Sequence, residues 1–159
     1  MGWALLHLGG LDEAEGRFDE AVRTAREEGA PFVARAALNN LARVALARRD
    51  AESLRRCLSN SFPLLGGEPE LRSLTESFDL LARLCCLEKR PEAAVRAAAA
   101  AERAREITGV DVQLEEVPEA DWLVAAREVI GSPAWETEVT RGRAAFDDDP
   151  VQLAADCLD

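Results

Sequence analysis

Apolar and small residues recur along this chain at i, i+3 or i+4, and i+7, in stretches broken by short polar turns. That spacing places them on one face of successive amphipathic helices. Three segments, "GGLDEAEGRFDEAV" (9–22), "RDAESLRRCLSNSF" (49–62) and "KRPEAAVRAAAAAE" (89–102), align without gaps at a 40-residue period. The stretches before them, "MGWALLHL", "LARVALAR" and "LARLCCLE", fall into the same register. Each unit therefore predicts a helix, a tight turn and a second helix. Within the second helices Ala14, Phe18 and Ala21 correspond to Leu54, Leu58 and Ser61, and to Ala94, Ala98 and Ala101. Small side chains at these positions let two helices approach closely, so the alanine run of 90–109 reads as a packing surface.

Punctuation supports the register. Pro31, Pro69, Pro91, Pro118, Pro133 and Pro150 are placed to open helices, where a missing N–H costs nothing. Gly29 and Gly109 close helices, and Ser132 and Asp149 are expected N-caps. The stretch 110–117 predicts an extended loop, followed by three short helices near 118–130, 132–143 and 150–158.

Charge divides the chain. Of its 159 residues, 19 are basic and 30 acidic, a net charge of -11 that repels a phosphate backbone and argues against direct nucleic-acid contact. Residues 1–110 hold 16 basic and 17 acidic side chains, whereas 111–159 hold 3 and 13. The expected division is thus helical repeats over 1–109 and an acidic helical segment over 110–159. With 48% hydrophobic residues the chain is expected to fold, and no apolar run approaches the ~20 residues that cross a bilayer. No secretory signal is read at the start, so a cytoplasmic location is expected, with Cys57, Cys85, Cys86 and Cys157 reduced.

The unit "LHLGGLDEAEGRFDEAV" resembles the tetratricopeptide repeat at Gly9, Leu11, Ala14, Phe18 and Ala21. In the next two units Arg49 and Lys89 stand where that repeat has glycine, Ala51 and Pro91 where it has a large residue, and Leu54 and Ser61 where it has alanines. The resemblance implies an all-α fold of antiparallel helical hairpins, stacked as a tetratricopeptide-like right-handed solenoid with a short helical C-terminal cap. The segments "KRPEAAVRAAAAAERAREITGV" and "AREVIGSPAWETEVTRGRAAFDDDPVQLAADCL" further resemble the C-terminal helical-repeat region of large bacterial regulators. In these, of LuxR type or antibiotic-regulatory-protein type, an ATPase domain is coupled to the repeats. The resembling positions include Pro91, Ala93, Ala94, Glu102, Arg105, Gly109, Trp135, Gly142, Arg143 and Ala144.

What the resemblance implies is a noncatalytic protein-interaction and regulatory module, a fragment of a sensor arm. Its register puts Trp3, Asn39, Arg43, Glu76, Asp79 and Arg83 on the inner face of the first helices, as a groove for a protein or peptide partner. That partner could be a neighbouring domain of a longer chain. The first helix retains only residues 1–8, so the chain is expected to begin inside a repeat, leaving Trp3, Leu5, Leu6 and Leu8 as an apolar face that could also pair two copies.

No catalytic residue, cofactor site or metal site is assigned. The single lysine, Lys89, has no preceding glycines of a nucleotide-binding loop, and the sole histidine, His7, stands among leucines without an orienting partner. Two alternatives stay open. One is a small metal-dependent enzyme using Asp147, Asp148 and Asp149, although the run lacks the spaced ligands of a calcium loop and reads more simply as acidic charge at a helix N-terminus. The other is a purely structural segment.

Overall fold

A computed structural model describes residues 10–64, 71–109 and 119–159, with side chains described over 10–64, 74–109 and 123–159. Among the described residues the regular structure is helical throughout and contains no strand. In chain order the helices are α1 (Leu11–Glu27), α2 (Pro31–Ala47), α3 (Ala51–Ser61), α4 (Leu71–Leu87), α5 (Pro91–Thr108), α6 (Glu119–Ile130), α7 (Ser132–Asp148) and α8 (Pro150–Leu158). A 3-10 turn, Phe62–Leu64, follows α3. The chain divides into two compact units, Met1–Glu68 and Pro69–Asp159.

The 40-residue period is visible in the helix starts. Helices α1, α3 and α5 open at Leu11, Ala51 and Pro91, and α2 and α4 at Pro31 and Leu71. Helix α7 opens at Ser132, one residue beyond the next step. The rhythm therefore runs on past the change in charge near Val110, and the two-unit division falls elsewhere, at Glu68.

The turns explain how the period survives without its glycine. Arg49 and Lys89 adopt φ of 57° and 60°, left-handed values that non-glycine residues rarely hold. Each is fixed by paired backbone bonds. The Arg49 and Asp50 N–H groups donate to the Leu46 and Ala45 carbonyls, both at 2.9 Å, and those of Lys89 and Arg90 to Cys86 and Cys85, at 3.1 and 2.8 Å. Gly29 and Ala30 repeat this closure after α1. The pattern satisfies carbonyls that the helix end would otherwise orphan.

In the first unit α2 packs against both α1 and α3. Ala14, Leu54 and Leu58 are wholly buried, while Phe18 is only half-buried. Arg48 at the end of α2 reaches Glu15 at 2.6 Å and also Asp12, both near the start of α1, so these helices are antiparallel. Short turns make α3 antiparallel to α2 as well, hence α1 and α3 run the same way.

In the second unit α4 and α7 both pack against α5. A stripe of alanines on α5, Ala94, Ala97, Ala100, Ala101 and Ala104, is fully covered. Arg96 faces Glu138 at 3.2 Å and Arg103 binds Asp147 at 2.8 Å, so α5 and α7 are parallel. Their backbones come close at Gly142, where an added Cβ would lie 2.3 Å from the Arg96 carbonyl oxygen. Phe78 of α4 meets Phe146 of α7 edge to face, with centroids 5.7 Å apart. The α6–α7 hairpin is braced by the Arg127 guanidinium 5.6 Å from the Trp135 ring.

Three expectations for the C-terminal part need correction. The helix expected to end at 143 continues to Asp148, because Phe146 is buried against Phe78 and Asp147 is held by Arg103. Ser132 is not the N-cap of α7. Gly131, at φ 77°, turns the chain within one residue, so Ser132 is already helical. Asp147 and Asp148 lie at the C-terminal end of α7, not at a helix N-terminus, and only Asp149 caps α8, accepting from the Val151 and Gln152 N–H groups at 2.9 and 3.0 Å. Trp3, His7 and the apolar face of Leu5, Leu6 and Leu8, with the loop of 110–117, lie outside the described residues.

Candidate functional site

The residues expected to line a groove occupy varied surroundings. Trp3 lies outside the described residues. Asn39 is 1% exposed and accepts a hydrogen bond from Ser61 Oγ of α3 at 2.9 Å. Asp79 is 6% exposed and takes a 2.5 Å bond from Arg105 of α5, and Arg83 is 5% exposed. Only Arg43 and Glu76 are half-buried. Asn39 and Asp79, equivalent across the period, thus both turn toward the second helix of their own hairpin. A ligand reaching these two groups would first have to displace bonds already made inside the fold.

A concave site does exist in the first unit, on another face of α2. A cleft of about 220 Å³ opens between α1 and α3 with α2 as its floor. Leu38, Leu41, Val44 and Ala45 of α2, Val22 of α1 and Cys57 of α3 form its apolar base. Arg43, two residues past Leu41, stands about 200° farther round the helix. Glu15, Asp19 and Arg26 edge the cleft from α1, Arg48 and Asp50 from the α2–α3 turn, and Ser53, Arg56 and Asn60 from α3.

Several of these charges already have partners. Bonding to Glu15 holds the Arg48 guanidinium above its ordinary pKa, and the Ser53 backbone N–H, donating to Asp50 at 3.0 Å, holds that carboxyl below its own. Arg56 donates to Ser53 Oγ at 3.3 Å. Burial pushes the Cys57 thiol up to about 11, so it is a protonated, inert part of the floor at neutral pH. The other thiols behave alike. All four cysteines are free, and desolvation raises Cys85 to about 12 and Cys86 and Cys157 to about 11.

The aspartate run is accounted for structurally. Asp147 joins Arg103, Arg143 and Glu106 in an ion-pair network between α5 and α7, with Arg143 2.5 Å from Glu106, and Asp149 caps α8. Among the described residues no group of three or more His, Cys, Asp or Glu side chains is arranged to hold a metal ion. Nor is any described helix long and apolar enough to cross a membrane.

Among the described residues the fold is all-helical, built of short-turned hairpins, with a cleft on the first unit. The chain matches no protein-family model, no curated protein sequence and no solved structure.

Sequence reasoning missed this cleft. Its signal would have been the α1 stripe Glu15, Asp19, Val22 and Arg26, whose 4, 3, 4 spacing puts three charges and one apolar residue on a single face.

Proposed function

We propose that this chain is a noncatalytic protein-interaction module, a tetratricopeptide-like arm of a longer cytoplasmic bacterial regulator. The observation that carries the reading is the α1–α3 cleft, an apolar floor with a rim of both signs, set on hairpins that recur every 40 residues. Such a surface excludes water from an apolar contact while selecting for charge pattern, which suits a polypeptide partner. The net charge of -11 favours a protein over nucleic acid. Recognition is assigned to the cleft, and the sequence-predicted positions Arg43 and Glu76 are not among the residues that line it.

Panning a random peptide-display library on the immobilised chain tests this reading. Enriched sequences should bind saturably and compete with one another for the soluble chain. A library that yields no saturable binder would overturn it.

A further inference from the structure

We infer that the α1–α3 cleft takes an extended peptide segment of three to four residues, apolar in the middle, with a basic side chain at one end and an acidic one at the other. The inference rests on the interaction reading and specifies its ligand.

The rim charges differ in what already holds them. Glu15 is bound by Arg48, and the Asp50 carboxylate is occupied at the N-terminus of α3. The side chains of Asp19 and Arg26, both exposed, make no hydrogen bond or ion pair among the described residues. They share the α1 stripe, seven residues apart, so their backbone positions are separated by about 10 Å along the helix. Three extended residues span about the same distance. Between them the wall and floor are Val22, Leu38, Leu41 and Cys57, all buried. The apolar middle of the ligand would rest there.

Span selects the conformation: an extended segment covers the distance between Asp19 and Arg26 with three to four residues, whereas a helix, rising about 1.5 Å per residue, would need about seven. Charge selects the polarity: a ligand ammonium or guanidinium is placed at Asp19 and a carboxylate at Arg26.

Fluorescence anisotropy on the full chain distinguishes this from nonspecific attraction. Three labelled, end-blocked peptides serve: Lys-Leu-Leu-Glu, Lys-Leu-Leu-Lys and Glu-Leu-Leu-Glu. The native chain should prefer the dipolar peptide, whereas its net negative charge alone would favour the doubly basic one. Asp19→Lys should weaken Lys-Leu-Leu-Glu about fivefold, the worth of one exposed ion pair, and turn the preference to Glu-Leu-Leu-Glu. Arg26→Glu should turn it to Lys-Leu-Leu-Lys. Circular dichroism checks that both variants remain helical. No saturable binding, or a preference that ignores the two substitutions, overturns the inference. If display-selected peptides bind while Asp19→Lys and Arg26→Glu leave them unmoved, the interaction reading stands and this ligand assignment fails.

Discussion

Two pairs of parallel helices can be set side by side: α1 with α3 in the first unit, and α5 with α7 in the second. Both pairs belong to second helices of the 40-residue rhythm, yet one pair leaves a cleft and the other closes. The cause lies in the facing side chains. Where α5 meets α7 stand alanines and Gly142, so backbone nears backbone at the Arg96 carbonyl. The rim between α1 and α3 carries Asp19, Arg26, Arg56 and Asn60, whose charged and amide ends stay in water. The closed pair combines small residues in its seam with ion pairs at its edge, and the open pair has no such small-residue seam in the cleft.

The largest expected effect breaks the closed pair. Gly142→Ala pushes a methyl group into the Arg96 carbonyl and should cost about 3 kcal/mol, read as a lower urea midpoint. Asp19→Ala, on the open pair, should stay within about 0.5 kcal/mol of native in the same measurement. Next, Asp79→Ala removes the partner of Arg105 and should cost about 2 kcal/mol, less than a wholly buried pair because the Arg105 side chain is 23% exposed. A smaller effect of opposite sign is expected at the turns. Arg49→Gly and Lys89→Gly relieve left-handed φ and should each raise stability by about 0.5 kcal/mol, the unfolded-state entropy of glycine offsetting part of the gain.

The smallest effect is on acid stability. Arg143, with Arg103, depresses the Glu106 carboxyl between α5 and α7, and the Ser53 N–H depresses Asp50 beside the cleft. Because both folded-state values are lowered, each contribution is present above the ordinary carboxylate range and is lost as pH falls through the folded-state value. The Glu106 contribution should fade at high salt, where ion pairs are screened, while that of Asp50, a bond to the backbone, should persist. Acid titrations of Glu106→Gln and Asp50→Asn at two salt concentrations would separate them.

The helix starts at Leu11, Ala51 and Pro91 were legible because local rules set them: a turn, a proline or an acidic residue, then apolar periodicity. The length of α7 was not, since it depends on Phe78 and Arg103, which are distant in sequence. The surroundings of the groove residues were not legible for a related reason. Register says which face a polar side chain occupies, but not whether another helix satisfies it there. A clue did exist at Ser61, a polar residue in a position where the other units carry alanine; it stands there as the donor to Asn39. The cleft left no comparable trace, because a gap between α1 and α3 reflects what two helices fail to do.

The protonated thiols carry a practical consequence. With Cys57, Cys85, Cys86 and Cys157 all raised by burial, the native chain is expected to take up maleimide labels slowly at neutral pH. A reporter cysteine placed at Asn60, on the exposed rim, would take up dye against that quiet background. Occupancy of the cleft could then be followed optically in the otherwise unaltered protein.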